Sequence, residues 1–436
     1  MTAQIKHIRT QAEQGLIDAF AAHRGKFAGA AAERAEAFRM FEEAGLPHRR
    51  VEEWKYTDLR ALMRDAKPLA APPDRAAVAA AKNVGHLDVD ARRLVLLNGS
   101  FVPELSDLKN LDAGLSIVPL HAALAGAAEV VSTLGKVVPT RDVAVALNTA
   151  FMTDGVVVRV AAGSTIERPI ALIHLFSGEA AAVFTRSVVT VEADARLTLI
   201  ELFQGPAGTD YQANSAIDLV MGDRAHVDRI KIGRDGDRAL HLGTAMIRTG
   251  ADAKLHDFTF VEGGAVTRNQ VFLHIAGENA DIAVRGANLL KGRQHVDTTM
   301  VVDHAQVGGV SRELFKHVLD DESRSVFQGK IIVRPGAQKT DGKMASHALL
   351  LSEGAEADSK PELEIFADDV QCGHGATVGA LDEDLLFYLR ARGIPAKEAE
   401  ALLVQSFVGE AIETIENEQV RDLLMKATAE WLAKRA

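Results

Sequence analysis

A regular repeat, with a period of roughly 28 residues, is the feature that most restricts what this chain can fold into. Four segments share one pattern, in which a small or acidic turn is followed by Ala and then by alternating apolar residues. The alanines are Ala195, Ala225, Ala253 and Ala280, so the spacing between them stays nearly constant. A regular period of strand-type sequence predicts a solenoid whose stacked coils bury one continuous core. A β-sandwich also contains many strands, but it does not need such a period.

Helical sequence is predicted on both sides of this solenoid. Residues 1–85 are expected to form an N-terminal helical domain, with one helix from Ile17 to Gly45 that ends at Leu46-Pro47. Residues 86–140 form a mixed connecting segment, where Asn98-Gly99 between two apolar runs predicts a β-hairpin. Residues 141–379 are assigned to the parallel β-helix core, and residues 380–436 to a C-terminal helical domain.

The C-terminal domain has clear helix boundaries in its sequence. Asp382 is a good N-cap, Gly393 a good stop, and Pro395 a good first residue for the next helix. That next helix is expected to place apolar residues on one face, namely Ala399, Leu402, Leu403, Phe407, Ala411 and Ile415. A last helical segment runs from Asn417 to Lys434. Because so short a helical hairpin cannot bury both faces against itself, part of it must pack on the solenoid or on a partner.

Composition excludes several classes of function. The formal net charge of −11 argues against nucleic acid as the main partner, since phosphate binding needs an excess of Lys and Arg. One cysteine rules out an intrachain disulfide and fits a reducing compartment. No P-loop motif occurs, so the chain is not expected to hydrolyse ATP itself. Without a signal-peptide segment or a run long enough to cross a bilayer, we predict a cytoplasmic protein with no membrane contact.

The strongest candidate site is the pair Cys372 and His374, within a glycine-rich segment at residues 368–379. Thiolate and imidazole bind soft and borderline metals well, and the glycines allow the backbone to turn tightly. Two ligands do not complete a four-ligand site, so further ligands would have to come from elsewhere, including another chain. The residues alone leave a second interpretation open, in which a small buried Cys and a hydrogen-bonded His simply occupy a turn.

Three weaker sequence patterns suggest other kinds of functional site. Gly373-x-Gly375-x-x-x-Gly379 resembles a dinucleotide fingerprint, but only helix is predicted downstream, so no parallel strand can complete the nucleotide-binding unit. Paired carboxylates on a β-helix suggest polysaccharide cleavage, yet two Trp and three Tyr are few for a sugar-binding groove. Four histidines could form a second metal site across adjacent coils, although polar ladders are the favoured interpretation. These are His295, His304, His317 and His347, with Asp297 and Asp303 nearby.

Six motifs that follow one another resemble the SufB/SufD family of the SUF iron–sulfur cluster assembly system. They are SRELFK (311–316), VFQGKI (326–331), AQKTD (337–341), KPELEI (360–365), the segment 368–379 and LFYLRARGI (386–394). EWKYT at residues 53–57 is similar to the SufD entry motif, which makes SufD the better match within the family. A SufB-like subunit accepts sulfur on a cysteine within its β-helix, and this chain has none there. Gly373 and Ala391 depart from the Ser that is commoner in the family.

The resemblance implies a right-handed parallel β-helix between two helical domains, in a non-catalytic scaffold subunit. It implies a heterodimer with a SufB-like paralogue near the Cys372 loop and docking of a SufC-like ABC-type ATPase on the C-terminal helices. His374 would be a ligand of a nascent iron–sulfur cluster or of iron in the complex, and Cys372 would be either a second ligand or simply a buried residue. No cofactor would be tightly bound to the isolated chain. The residues implied in ATPase docking are Phe387, Tyr388, Leu389, Arg390 and Gly393.

Three questions stay open at this point. The isolated chain could form a homodimer. It could also be a structural adaptor that holds the ATPase without a direct metal role. Less in keeping with the sequence, it could be a carbohydrate-active β-helix or a self-contained metalloenzyme that acts without partners.

Overall fold

Two long parallel sheets face each other through the middle of the chain. The computed structural model describes residues 9–126 and 128–435. One sheet has the strand order β19-β17-β15-β13-β11-β9-β7-β5-β1-β2, and the other has the order β18-β16-β14-β12-β10-β8-β6-β4-β3. From β4 onward, successive strands therefore alternate between the sheets, which is the topology of a parallel β-solenoid. The predicted fold class, mainly β with helices at both ends, is confirmed.

The strands of the solenoid, in chain order, have the following bounds. They are β1 Arg92–Leu97, β2 Ser100–Phe101, β3 Leu115–Pro119, β4 Val156–Val160, β5 Ile170–Leu175, β6 Ala182–Val191, β7 Arg196–Gln204, β8 Gln212–Met221, β9 His226–Arg234, β10 Leu240–Thr249, β11 Lys254–Val261, β12 Val266–Ile275, β13 Asp281–Leu290, β14 His295–His304, β15 Val310–Leu319, β16 Arg324–Val333, β17 Asp341–Leu350, β18 Glu356–Ile365 and β19 Gln371–Gly379.

The helices lie before, between and after these strands. They are α1 Gln11–His23, α2 Ala31–Ala44, α3 Leu59–Leu62, α4 Arg75–Ala81, α5 Leu120–Gly126, α6 Ala128–Thr133, α7 Val143–Phe151, α8 Glu383–Ala391, α9 Ala396–Ile412 and α10 Glu418–Ala433. Among the described residues, no helix is both long enough and apolar enough to cross a membrane.

The repeated alanines mark one corner of the coils. All four are fully buried. Each follows a residue in the left-handed region, with φ of 61° at Asp194, 56° at Arg224, 52° at Asp252 and 55° at Asn279. A left-handed residue turns the chain sharply, and Asp and Asn tolerate this conformation better than most residues. The small Ala side chain then fits the tight corner. The sequence is periodic because each coil contains one of these turns.

The register between coils keeps equivalent side chains in inward columns. Leu197 pairs with Val227, Val227 with Leu255, and Leu255 with Ile282. All four are buried in one core cluster. Because side chains alternate across a strand, every second residue of each coil continues such a column.

The outer faces of the two sheets are covered by different helices. Phe151 of α7 and Trp54 pack with Phe184 and Leu242 against one sheet. Val404 of α9 and Trp431 of α10 belong to the cluster that covers the other sheet, together with Ile230 and Phe260. A parallel strand of this solenoid carries apolar residues on both faces because the interior buries one face and the helices bury the other.

The single helix predicted from Ile17 to Gly45 is wrong, since the structure has α1 and α2 there. The connection at residues 24–30 contains Gly29 and Ala30, both in the left-handed conformation, with φ of 50° and 54°. A Cβ atom at Gly29 would lie 2.2 Å from the carbonyl oxygen of Leu124. A distant segment thus packs against this backbone, and local helix propensity cannot report such a contact.

The predicted hairpin at Asn98-Gly99 is confirmed, since β1 and β2 pair antiparallel with Leu97 opposite Ser100. The same β1 pairs parallel with β5, and β3 pairs antiparallel with β4, so residues 86–140 contribute the first strands of both sheets. The four-segment division of the chain stays a prediction.

The C-terminal helices follow the predicted boundaries with three corrections. Ile415, expected on the buried face of α9, is buried but lies beyond the last residue of that helix, Ile412. Asp382 caps α8 through hydrogen bonds from the backbone N–H groups of Asp384 and Leu385. Pro395 is the N-cap of α9 and not its first residue. Leu402, expected on the buried face of α9, is exposed, while Val404 and Val408 are buried. The helix is apolar on more than one side, so the packing against β15 and α10 selects the buried face.

A buried ion pair under α7 predicts a large loss of stability. Arg186 donates two hydrogen bonds to Asp218 at 2.7 and 3.0 Å, and both side chains are fully buried. Arg186→Ala leaves Asp218 as an uncompensated buried charge, so we expect the free energy of unfolding to fall by about 3–5 kcal/mol in urea titrations. The exposed pair Arg224–Asp194 is the matched control, and Arg224→Ala should leave the free energy of unfolding nearly unchanged. If the two variants lost equal free energy of unfolding, the buried Arg186–Asp218 pair would not contribute more to stability than the exposed one.

Candidate functional site

The solenoid ends in two edge strands. Along the described chain, β19 pairs only with β17, and β18 pairs only with β16. One edge of each strand therefore presents backbone N–H and C=O groups that no strand of this chain satisfies. Unpaired strand edges of this kind are templates for pairing with another chain. We call this end of the solenoid, formed by β18 and β19, the rim.

Both predicted metal ligands lie on β19, on the side that faces the solenoid interior. The expectation that the β-helix has no cysteine is therefore wrong, since Cys372 lies on the last strand of the solenoid. Cys372 is opposite Gly342, and His374 is opposite Met344, a buried residue of the inner core. Residues two apart on a strand lie on one face with Cα atoms roughly 6.6 Å apart. The thiol is partly buried against the core, whereas the imidazole is exposed. The strand therefore brings the two side chains together on one face, at the open end of the core.

The residues around this pair leave it accessible. Lys343, Met344 and Gln371 line an open depression together with Cys372, Gly373 and His374. Gly342 contributes no side chain beneath Cys372, so the column below the thiol continues directly to Ser311. A metal ion or a partner side chain can reach the sulfur and the imidazole from the rim.

The environment of Cys372 keeps its thiol protonated. Burial raises the pKa of the thiol above its usual value, and the carboxyl groups of Asp341 and Glu313 add to the rise, against an opposing hydrogen bond from the backbone of Gly342. A thiolate is the form that binds metal, so a cation must displace this proton. The isolated chain thus holds a thiol that becomes a ligand only when a positive charge arrives.

Glu313 is an unusual interior residue below the rim, two strands away from His374 in the same inward column. Its side chain is buried, and neither carboxylate oxygen has a hydrogen-bond partner. Burial raises the pKa of Glu313 to about 8, although Ser311 and Arg312 oppose the rise. The carboxyl group is therefore neutral at pH 7. Nothing in the sequence distinguishes Glu313 from the many exposed acidic residues, and only the register places it inside.

The alternative patterns do not assemble into sites. Gly373, Gly375 and Gly379 lie within strand β19 and not in a loop before a helix, so the dinucleotide arrangement is not formed. The four histidines are separated, each with its own hydrogen-bond partner. These pairs are His295–Thr57, His304–Ser311, His317–Asn288 and His347–Thr377. They satisfy local polar contacts, as the favoured interpretation predicts.

Helix α8, next to the rim in sequence, is strongly exposed. Phe387 is 74% and Tyr388 55% exposed, and no residue of this helix is buried. Leu389 is half-buried, Arg390 is exposed, and Gly393 follows the helix with φ of 86°. The residues implied in partner binding thus form a largely exposed helical surface with aromatic side chains on it.

Sequence reasoning missed one cluster altogether. Ligand atoms of His226, His256 and Glu416 lie within 4.8 Å of one another on the outer face of the sheet that contains β9 and β11. The repeat offers a partial signal, because Asp228 and His256 are one coil apart and occupy paired positions of neighbouring strands. Nothing in the sequence connects Glu416, which follows much later in the chain, to either strand.

The fold defines the class as a β-solenoid protein with helices at both ends, with a thiol and an imidazole on its rim. Two protein-family models match this chain. Residues 174–407 match the SUF system FeS cluster assembly, SufBD core domain, and residues 11–172 match the SufBD protein N-terminal region. The chain belongs to the SufB/SufD family, and within it the chain is SufD-like, as its motifs predict.

Curated relatives agree with the family assignment. A SufBD family protein of iron–sulfur cluster assembly from Synechocystis sp. is 32% identical, over 85% of this chain and 84% of the relative. The iron–sulfur cluster assembly protein SufD of Escherichia coli is 30% identical, over 87% of this chain and 88% of the relative. SufD of Bacillus subtilis is 27% identical over 64% of each chain. The chain is therefore similar to SufD proteins along most of its length.

The neutral carboxyl group of Glu313 predicts a specific pH dependence of stability. The pKa is about 8 in the folded state and ordinary, near 4.5, in the unfolded state, so the folded state binds the extra proton between these values. The free energy of unfolding should fall as the pH rises from 4.5 to 8. Glu313→Gln cannot ionise, so at pH 8 we expect it to be more stable than the wild type by on the order of a few kcal/mol.

Urea titrations of both proteins at pH 5 and pH 8 test this expectation. Glu104→Gln, at an exposed position, is the control and should follow the wild type at both values. If Glu313→Gln and the wild type lose stability in parallel between pH 5 and pH 8, the carboxyl group is not held neutral inside the solenoid.

Proposed function

We propose that this chain is the SufD-like scaffold subunit of a complex that assembles nascent iron–sulfur clusters. In this proposal the rim pairs with a SufB-like paralogue, and His374 and Cys372 contribute to iron acquisition and cluster formation at the junction. The C-terminal helices dock a SufC-like ABC-type ATPase. The observation that carries the proposal is the position of both ligands on an edge strand that this chain leaves unpaired.

The rim has the properties of a surface that another chain covers. Besides the free strand edge, it exposes three large apolar side chains, Ile365, Phe366 and Val378. Exposed apolar residues that cluster beside polar ligands are typical of protein interaction sites. A SufB-like solenoid that adds its own edge strands would satisfy the backbone groups and bury these side chains in one step.

The ligand set suits assembly and release of a cluster rather than storage. One thiol and one imidazole from this chain hold only part of a cluster, so the remaining ligands belong to the partner. A mixed Cys/His site with few ligands per chain releases its iron more readily than four thiolates from one chain. The protonated thiol adds to this behaviour, because reprotonation of the sulfur competes with the metal. The cluster is then cargo of the complex and not a resident cofactor of the isolated chain.

Helix α8 supports the docking of the ATPase. Along the chain, its exposed aromatic residues lie between β19 and helices α9 and α10, which pack on the solenoid. A subunit that binds α8 would be mechanically connected to the rim through the short link between β19 and α8. Movement of the ATPase can therefore be transmitted to the SufB/SufD-like junction, where the cluster forms. A cytoplasmic location belongs to this proposal, and whether the isolated chain forms a homodimer stays open.

A second candidate function is that of an adaptor that holds the ATPase and has no direct metal role. The protonated state of Cys372 favours it, because a thiol without an activating neighbour is a poor ligand. Iron or cluster binding by the complex that survives Cys372→Ser combined with His374→Ala would support the adaptor.

His374→Ala tests the proposed metal role. We expect the complex reconstituted anaerobically with its SufB-like and SufC-like partners to lose cluster yield by more than about 10-fold, measured as bound iron, acid-labile sulfide and visible absorption. The side chain is exposed, so the thermal midpoint of the variant should equal that of the wild type. His86→Ala, an exposed histidine near β1 at the other end of the solenoid, should leave the yield unchanged. A normal yield with His374→Ala would remove His374 from the mechanism.

Phe387→Ala tests the proposed docking helix. Truncation of an exposed aromatic anchor at an interface commonly costs about 2 kcal/mol or more of binding energy. We therefore expect affinity for the SufC-like ATPase, measured by calorimetry, to fall by more than about 10-fold, with no change in the thermal midpoint. Leu62→Ala, an exposed apolar residue of the N-terminal region, is the control. Unchanged affinity in the Phe387 variant would place the ATPase elsewhere.

A further inference from the structure

Four potential metal ligands meet where the C-terminal domain packs on the solenoid. His226 is the first residue of β9, and Asp228 follows two positions later on the same face of that strand. His256 lies on β11, directly opposite Asp228 in the register of the sheet. Glu416 belongs to the turn between α9 and α10, which lies on this face of the sheet. Three separate parts of the chain are needed to build the cluster.

The donor atoms have the spacing of a coordination shell. The Oδ1 atom of Asp228 lies 3.0 Å from Nδ1 of His256 and 3.7 Å from Nε2 of His226. The Oε1 atom of Glu416 lies 3.7 Å from Nδ1 of His256. Ligands about 2.0–2.1 Å from a tetrahedral ion are roughly 3.3 Å apart, so these separations lie close to the edges of such a tetrahedron. Ligand atoms of His226, His256 and Glu416 are all within 4.8 Å of one another.

Hydrogen bonding inside the chain does not account for the cluster. Asp228 accepts a hydrogen bond from His256, but Nε2 of His226 is buried and has no hydrogen-bond partner within the described structure. A buried imidazole nitrogen without a partner is costly, and native structures usually satisfy it with protein, water or an ion. The two imidazole rings are near-perpendicular, with centroids 5.5 Å apart, so their nitrogen atoms converge without ring stacking.

The burial of the ligands differs in a way that suits metal entry. The side chains of His226 and Asp228 are 11% and 19% exposed, His256 is 32% exposed, and Glu416 is 59% exposed. The strand residues are held by the sheet, whereas Glu416 projects from a turn and is the most exposed of the four. The preformed part of the site is therefore on the solenoid, and Glu416 completes it from the C-terminal domain.

We propose that His226, His256 and Glu416, with Asp228 as fourth ligand, bind one divalent first-row transition-metal ion of the zinc type. Two imidazoles and a pair of carboxylates select such ions over Mg²⁺ and Ca²⁺, which prefer all-oxygen sites. The ion would replace the proton that Nδ1 of His256 shares with Asp228. The bound ion would fasten the α9–α10 turn to the sheet and so hold the C-terminal domain against the solenoid.

This site is separate from the rim and does not depend on the proposed role in cluster assembly. His226 and His256 lie on the outer face of β9 and β11, while Cys372 and His374 lie on the interior side of β19, four strands further along the same sheet from β11. Loss of the rim ligands should therefore leave the ion in place. An experiment can therefore contradict the proposed role of one site without contradicting that of the other.

Titration of the full-length, EDTA-treated chain with Zn²⁺ and with Co²⁺ tests the proposal. In a Cys372→Ser, His374→Ala background, which removes the rim ligands, we expect one equivalent to bind by calorimetry, and Co²⁺ to give the intense visible absorption of a tetrahedral site. His226→Asn with His256→Asn should weaken binding by more than about 10-fold, and Glu416→Gln should weaken it less. Zn²⁺ should raise the thermal midpoint of the background protein and not that of the double asparagine variant.

The matched control is the histidine–carboxylate pair His274–Asp303 on the opposite sheet, 3.1 Å apart. His274→Asn removes an imidazole of similar exposure and should leave metal affinity unchanged. Equal Zn²⁺ affinity in the background protein and the double asparagine variant would overturn the proposal. So would absence of stoichiometric binding in the background protein while it remains folded, judged by its circular dichroism.

Discussion

The parallel register between coils is the constraint on which the rest of the structure depends. Long runs of consecutive residues pair each strand with the strand one coil away, so every side chain repeats its position in the next coil. A slip of one residue would exchange the inward and outward faces of a strand. The register therefore decides at once which residues form the core, which residues meet the helices and which residues reach the rim.

Polar residues occupy part of the interior that this register creates. Arg229 stands in the column between Leu199 and Asp257, and it donates hydrogen bonds to Glu201 at 2.6 Å and to Asp257 at 2.8 Å. Lys231 donates to Asn269 across the interior at 2.7 Å. Such pairs rarely make the fold more stable than apolar residues would. They favour the native register, because any register that separates the partners leaves a buried charge unpaired. Toward the rim the pairing is incomplete, as Glu313 without a hydrogen-bond partner shows, and there the column ends at His374 on β19.

The two ends of the solenoid differ. At the first end, the edge strands are β2, which forms a hairpin with β1, and β3, which pairs antiparallel with β4. At the other end, β18 and β19 are left with open edges and exposed apolar side chains. Solenoids need caps because an open edge invites association. The rim is therefore the end of the solenoid at which parallel edge strands can pair with another chain.

The sequence by itself determined the solenoid, its period, the Asn98-Gly99 hairpin, the Asp382 cap of α8 and the position of Cys372 and His374 two residues apart, because turns, caps and motifs are local in the chain. Only the tertiary structure decided what depends on distant contacts. Leu124 packs against Gly29 and divides one predicted helix into two, and the neighbours of α9 select Val404 over Leu402 for burial. The register carries Glu313 into the interior, and the packing of the α9–α10 turn brings Glu416 to His226 and His256. Such contacts join residues far apart in sequence. Their free energy depends on tertiary packing, which local sequence patterns do not predict.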